Sequence, residues 1–191
     1  MDLLPASGVD VNHRHPRMDT PLQAALKHTD HEHRAVRLSC ARRLIELGHK
    51  INAAPSCDKY GRTALQAAVE TGDVEFVRYL LAEGAEVNAP AAPLFGVTAL
   101  QAAAIKSYLR IAQILLEHGA HIDADPSPYG GRRAIDGAAE RGRIDMAKLL
   151  LDNYDGPRPI SEVCKSAVRY AREQNQWYMM EFLESYRPPQ K

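Results

Sequence analysis

Thr98-Ala99-Leu100-Gln101-Ala102-Ala103 is one copy of a word that recurs along the chain. The same six letters stand at Thr63-Ala64-Leu65-Gln66-Ala67-Ala68. A near copy stands at Thr20-Pro21-Leu22-Gln23-Ala24-Ala25, and a worn one at Arg133-Ala134-Ile135-Asp136-Gly137-Ala138. Their first letters are 43, 35 and 35 residues apart. Self-similarity at such a period describes small units that cannot bury an apolar face alone and stack on their neighbours to share a core. The 191 residues therefore read as a single elongated array.

The middle units show what each copy encodes. Residues 64–71 form a short Ala-rich helix with Thr63 as its N-cap, and Gly72-Asp73 breaks it. A second helix follows over 74–83, with Val74, Val77, Leu80 and Leu81 at helical spacing and Gly84 as its stop. A Pro-containing finger over 89–95 leads to Gly96 and the next Thr98. The next unit repeats this with helices over 99–106 and 109–118, and a later one with helices over 134–141 and 144–153. The Leu80-Leu81 and Leu115-Leu116 pairs are expected to fill the space between units.

The ends are irregular. Leu4 to Asn12 matches Leu80 to Asn88, so the first unit reads as the tail of a helix pair and the chain as a fragment of a longer array. Residues 29–35 are a polar insertion, either a longer loop or about two extra turns on the second helix, whose inward residues are Leu38, Ala41, Leu44 and Ile45. The last unit lacks the opening word. Trp177, Met180, Phe182 and Leu183 form the inner stripe of its final helix, and Glu184 replaces the apolar residue found at Ile45, Leu81, Leu116 and Leu151. That charge marks a terminal cap. The expected boundaries are 1–12, 13–52, 53–88, 89–123, 124–155 and 156–187, with a tail over 188–191.

Composition narrows the function. Lys plus Arg and Asp plus Glu are 24 each, which argues against a nucleic-acid binder built on a general positive field. No apolar run reaches the length of about 18 residues that suggests a membrane span. Cys40, Cys57 and Cys164 are an odd number in unrelated contexts, as expected of free thiols in an intracellular compartment, cytoplasmic or nuclear. Cys40 and Cys164 read as small packed residues. Phosphate-cradling Gly-x-Gly-x-x-Gly and Gly-x-x-x-x-Gly-Lys words are absent, as is a Gly-x-Ser-x-Gly turn. The chain is expected to be no enzyme and to need no cofactor.

The word Thr-Pro-Leu at 20–22 and the run Leu80-Leu81-Ala82-Glu83-Gly84-Ala85-Glu86-Val87-Asn88 resemble the ankyrin repeat family, over nearly the whole chain. The family's histidine in the word is Gln23, Gln66 and Gln101 here and Asp136 last; glutamine can still donate and accept, so the tie to the hairpin can survive. The wording with Pro-rich fingers looks like the ankyrin arrays of filamentous fungi, which often form part of larger proteins. The resemblance implies an all-α solenoid of helix–turn–helix units with projecting fingers. It also implies a protein partner bound on a concave face of fingers and first helices, while the balanced charge and the lack of a long apolar run argue against nucleic acid and membrane. An alternative is a structural spacer attached to a separate catalytic or nucleotide-binding domain.

The family's contact positions fall on Lys59, Tyr60, Arg62, Leu94, Phe95, Val97, Tyr129 and Arg132 in the fingers. On the first helices they fall on Glu70, Thr71, Ile105, Lys106, Glu140 and Arg141. Tyr60, Phe95 and Tyr129 make a row of aromatics flanked by Arg, suited either to an interface core or to packing of each ring on its own finger. Ile105 is expected to be exposed, with little structural reason for being there. Asn52 and Asn88 are expected to tie hairpin turns. His28, His31 and His33, with His13 and His15 nearby, are a weaker candidate for metal or small-molecule binding, since no Cys joins them and the loop is unbraced.

Overall fold

The computed structural model describes Asn12 and residues 18–27, 34–56 and 60–189. Among them the regular structure is helical: α1 (Pro21–Lys27), α2 (Arg34–Glu46), α3 (Ala64–Thr71), α4 (Val74–Ala82), α5 (Ala99–Lys106), α6 (Leu109–Glu117), α7 (Ala134–Glu140), α8 (Ile144–Asp152), α9 (Ile160–Glu173) and α10 (Trp177–Ser185). A lone parallel bridge joins Leu94 to Tyr129. The helices pair in sequence, and α1, α3, α5, α7 and α9 stack one on the next as an inner row. In the outer row, α4 touches α6 and α6 touches α8.

The repeated word explains both the start of each inner helix and its link to the next unit. Thr63 Oγ1 accepts from the Gln66 amide at 3.3 Å, and Gln66 Oε1 accepts from the Thr63 amide at 3.0 Å. Thr98 with Gln101, and Thr20 with Gln23, make the same reciprocal cap. Each glutamine keeps its Nε2 free to reach forward. Gln23 donates to the carbonyls of Ala53 and Ala54, Gln66 to Ala89 and Pro90, and Gln101 to Ala124 and Asp125. One residue thus caps its own helix and holds the following hairpin, and the expected tie survives the loss of histidine.

Helix boundaries differ from expectation by one residue in several places. Glu83, His118, Arg141 and Asn153 are C-cap positions, outside the helices they follow. Helix α2 begins at Arg34 and is 13 residues long, against nine in α4, α6 and α8. The described helix is thus longer by four residues, about one turn and not two, and residues 29–33 of the insertion lie outside the described residues. In α2 Ala41 is fully buried, while Leu38, Leu44 and Ile45 are half-buried. Arg34 reaches across to Asp73 at 2.7 Å, which also caps α4 by accepting from the Phe76 amide at 3.1 Å. That contact clamps the first helix pair to the second.

The core runs continuously from Leu22 to Leu183. Leu80, Leu115 and Leu150 are fully buried, whereas Leu81 and Leu116 are half-buried. In the Leu80-Leu81 and Leu115-Leu116 pairs the first leucine is the more deeply buried, while at Leu150-Leu151 both are buried. In the last unit Met179 and Leu183 face inward, 33 residues after Met146 and Leu150. The expected stripe is corrected accordingly: Trp177 is 66% exposed, and Met180 and Phe182 are half-buried. Asn175, at φ 55°, stands two residues before α10, as the left-handed Gly72, Ser107 and Gly142 stand before α4, α6 and α8. Glu184 is exposed. Cys40 is exposed and not packed as expected, while Cys164 is buried; both are free thiols.

No helix among the described residues is long and apolar enough to cross a membrane.

Candidate functional site

Each complete unit braces its finger base to its own inner helix with a pair of side chains eight positions apart. Arg62 binds Glu70 at 2.8 Å and Arg132 binds Glu140 at 2.9 Å. The first unit reverses the charges, with Asp19 accepting from Lys27 at 2.7 Å. The middle unit replaces the ion pair with Val97, which is buried, and Ile105, which is half-buried. Arg62 is almost wholly buried and also donates from Nη1 to the carbonyls of Gly61 and Phe95 at 2.9 and 3.3 Å. These six candidates, Arg62, Glu70, Val97, Ile105, Arg132 and Glu140, therefore have structural work to do.

Ile105 has a particular reason to be where it is. The residue opposite it in the next unit is Gly137, which stands where Ala102 stands in the repeated word. A Cβ at 137 would lie 2.7 Å from Ile105 Cγ1. The isoleucine fills the space the glycine leaves, so the expectation of an exposed, structurally idle residue is corrected.

The fingers are joined through their backbones. The Tyr60 amide donates to the Leu94 carbonyl at 3.0 Å, and the Phe95 amide to the Tyr129 carbonyl at 3.0 Å. The Tyr129 amide donates back to the Pro93 carbonyl at 3.3 Å. Tyr60 and Phe95 occupy equivalent places and stack, with ring centroids 5.4 Å apart and planes at 29°. Tyr129 is not the third member of that row. The equivalent place is Gly130, over which the Phe95 ring lies. Tyr129 takes the register of Leu94 instead, as the Leu94–Tyr129 bridge shows.

Tyr60 and Phe95 hold φ at 63° and 55°. That is left-handed backbone, which favours glycine and costs an aromatic residue about 1–3 kcal/mol. Gly130 has φ 71° without that cost. Despite their stacking, Tyr60 and Phe95 remain 55% and 39% exposed, and Tyr129 is 63% exposed.

The middle of the inner row is otherwise closed. On α3, α5 and α7 the residues with access to solvent are Glu70, Thr71, Ile105, Lys106 and Glu140, with Arg141 directly after α7. Lys106 and Arg141 are exposed, and neither makes a salt bridge with another described residue. Leu94 is half-exposed. Lys59 lies outside the described residues, as do Cys57 and all five histidines from His13 to His33. Among the described residues no group of three His, Cys, Asp or Glu could hold a metal ion. One residue of the face escaped the sequence reading. Tyr170 of α9 has the Arg132 guanidinium 4.8 Å and the Arg169 guanidinium 4.9 Å from its ring centre. Its spacing of 33 residues from Gly137 was the available signal.

The hairpins carry a second system of ties. Asn52 Nδ2 donates to the Gly84 carbonyl at 2.9 Å and its Oδ1 accepts from the Glu86 amide at 2.8 Å. Asn88 does the same with Gly119 and His121, both at 2.9 Å. Asn12 makes the pattern with Gly48 and Lys50. These bonds run between neighbouring units and not within one turn. At the last junction the residue is Asp123, which cannot donate. It accepts from Tyr154 Oη at 3.0 Å and from both Nε and Nη2 of Arg158, with Arg133 at 3.6 Å. Burial by itself would raise the Asp123 carboxyl, but the hydrogen bonds from Arg158 and Tyr154 and the charges of Arg158 and Arg133 bring it below the ordinary carboxylate range.

Asp136, in the place of the word's glutamine, shifts the other way. Burial pushes its carboxyl up, and the bond to Ser166 and the charges of Arg158, Arg133 and Arg169 offset this only in part. A raised carboxyl favours the neutral form in the fold. Its stabilisation is complete below the ordinary range, about pH 4, and is lost as pH rises through the raised value. Asp136→Asn should accordingly stabilise the chain at pH 7 by about 1 kcal/mol in urea melts, with no gain below about pH 4. A loss at pH 7 would show that the carboxylate is fully compensated.

A family model described as ankyrin repeats (3 copies) matches residues 1–91 and 90–160. The chain belongs to the ankyrin repeat family. Among curated proteins it is similar to the ankyrin repeat and SOCS box protein 6 of Homo sapiens, 38% identical over 96 residues, which is 47% of this chain and 21% of that protein. The protein of the same name from Pongo abelii is 36% identical over 96 residues, again 47% of this chain and 21% of the relative. The match thus spans about a fifth of each relative's length, and neither relative is fungal. The reciprocal caps, the paired helices and the finger ties are therefore those of an ankyrin array. Ankyrin repeats are generally protein-interaction modules, typically without catalytic activity.

Proposed function

We propose that this ankyrin array is an intracellular, non-enzymatic binding module that holds a partner protein on the face made by its fingers and inner helices. One observation carries the reading. Tyr60 and Phe95 keep a backbone conformation costly for aromatic side chains and leave much of their rings open to solvent. Stacked, partly exposed aromatics are what the core of an interface tends to contain. Tyr129 and Leu94 on the fingers, and Lys106 and Arg141 on the inner row, add accessible apolar and cationic groups to the same face.

A Tyr60→Ala/Phe95→Ala double variant should lose affinity for the partner recovered from source cells by about tenfold or more. Gln113→Ala, on the outer face of α6, should bind as the parent does. Urea melts establish that the variants fold. Equal binding by all three proteins would remove this face from consideration.

The braces favour a second reading. Asp19–Lys27, Arg62–Glu70 and Arg132–Glu140 stiffen three of the units internally, as a spacer holding a neighbouring catalytic or nucleotide-binding domain would require. A spacer predicts silent surface variants and a severe effect from deleting one whole unit.

A further inference from the structure

The charges left over on the inner row point to the chemistry of the partner. Every acid on α3, α5 and α7 that solvent reaches is already engaged: Glu70 by Arg62 and Glu140 by Arg132. Asp136 is buried. The middle unit, having replaced its ion pair with Val97 and Ile105, contributes no acid at all. What remains is cationic. Lys106 and Arg141 stand exposed at equivalent places at the ends of α5 and α7, with no salt bridge to a described residue. At the next unit Arg169 is exposed, with its guanidinium against Tyr170, whose ring also has Arg132 4.8 Å from its centre. Against these cations stands the exposed Glu173, which holds the register of Glu140. The chain as a whole is neutral, so this local excess is a property of the face.

The row is also narrow. In the middle of the row α3, α5 and α7 each open only one or two side chains to solvent, while α1 and α9 at its ends open more. Such a row suits a linear segment crossing the units more than the broad face of a folded domain.

We propose that the occupant of this face is a linear, acidic segment of a partner protein that carries at least one bulky apolar side chain. Its carboxylates pair with Lys106 and Arg141, and its apolar group packs on Tyr60 and Phe95. Carboxylates that meet Lys or Arg in a partly enclosed site form charge-assisted bonds that are stronger than those between neutral groups. The charge pattern also excludes basic segments by leaving cations opposed. The proposal rests on the binding-module reading above, and the two fail separately.

The test is selection of a displayed library of random dodecapeptides against the intact chain, followed by affinity measurements on the enriched peptides. The expected peptides are net negative, contain Phe, Leu or Trp, and bind at least about tenfold more weakly at 0.5 M salt than at 0.05 M. Lys106→Glu/Arg141→Glu should abolish their binding and enrich basic peptides in a repeat selection. Lys106→Gln/Arg141→Gln should weaken binding by an intermediate factor, and urea melts confirm folding of both variants. Enrichment of neutral or basic peptides by the parent chain, indifference to the charge variants, or no enrichment would overturn the acidic linear segment. Binding of acidic peptides that Tyr60→Ala/Phe95→Ala leaves unchanged would instead overturn the face assignment on which it rests.

Discussion

Leu115→Ala is expected to cost about 2–5 kcal/mol, as large a loss as a single aliphatic truncation in the core should give. Leu115 has no solvent exposure and sits in α6, between the α4 and α8 contacts of the outer row. The cavity would open in the central unit, where the stack has neighbours on both sides. In a quasi-one-dimensional array each unit contacts only its neighbours, so weakening the centre uncouples the halves. The urea transition should broaden as well as shift, because cooperativity across the stack is lost. Leu116→Ala, one position on, removes a half-buried side chain and should cost about 1 kcal/mol. Equal losses from the two substitutions would mean that the two leucines share the packing between units.

Arg158→Ala is the second large effect, about 3 kcal/mol at neutral pH. Asp123 is only 7% exposed at its side chain, and Arg158 is its main partner through two nitrogens. Removing the guanidinium leaves Asp123 to Tyr154 and the more distant Arg133. The carboxyl that these partners hold below its ordinary range contributes stability above that range, and loses it as pH falls through the folded value. The cost of Arg158→Ala should therefore be full at pH 7 and should shrink toward zero in strong acid. Asp136→Asn has the opposite sign, a gain at pH 7. Urea melts of the two variants across pH would separate two buried aspartates that occupy neighbouring units. A cost for Arg158→Ala that did not vary with pH would assign its role to packing instead of charge.

Much of this architecture was legible because it is local. Thr63 and Gln66, three residues apart, specify a cap whatever surrounds them, and the word recurs often enough to define the units. The pairs at Asp19–Lys27, Arg62–Glu70 and Arg132–Glu140 were equally open to reading, since opposite charges recur eight positions apart. Taking each residue as a contact position, one at a time, concealed the pairing. Other features depend on two units at once. Phe95 is intelligible only beside Gly130, and Ile105 only beside Gly137. The glycines look like wear in the word until the neighbouring unit is laid against them. Trp177 was misplaced because the last helix was not laid on the register of α8, 33 residues earlier. Asn175 is left-handed like Gly72, Ser107 and Gly142 before it, so α10 keeps the register of the earlier outer helices and Met179 takes the place of Met146.

The central claim is that the finger and inner-helix face, and not the outer row, meets the partner. Site-specific photo-crosslinking tests it most directly, with p-benzoylphenylalanine at Tyr129 or Lys106 compared with the same group at Gln113 on the outer face of α6. All three positions are exposed. Crosslinking of one partner from Tyr129 and Lys106, with little or none from Gln113, is the result expected. Equal or stronger crosslinking from Gln113 would contradict the account.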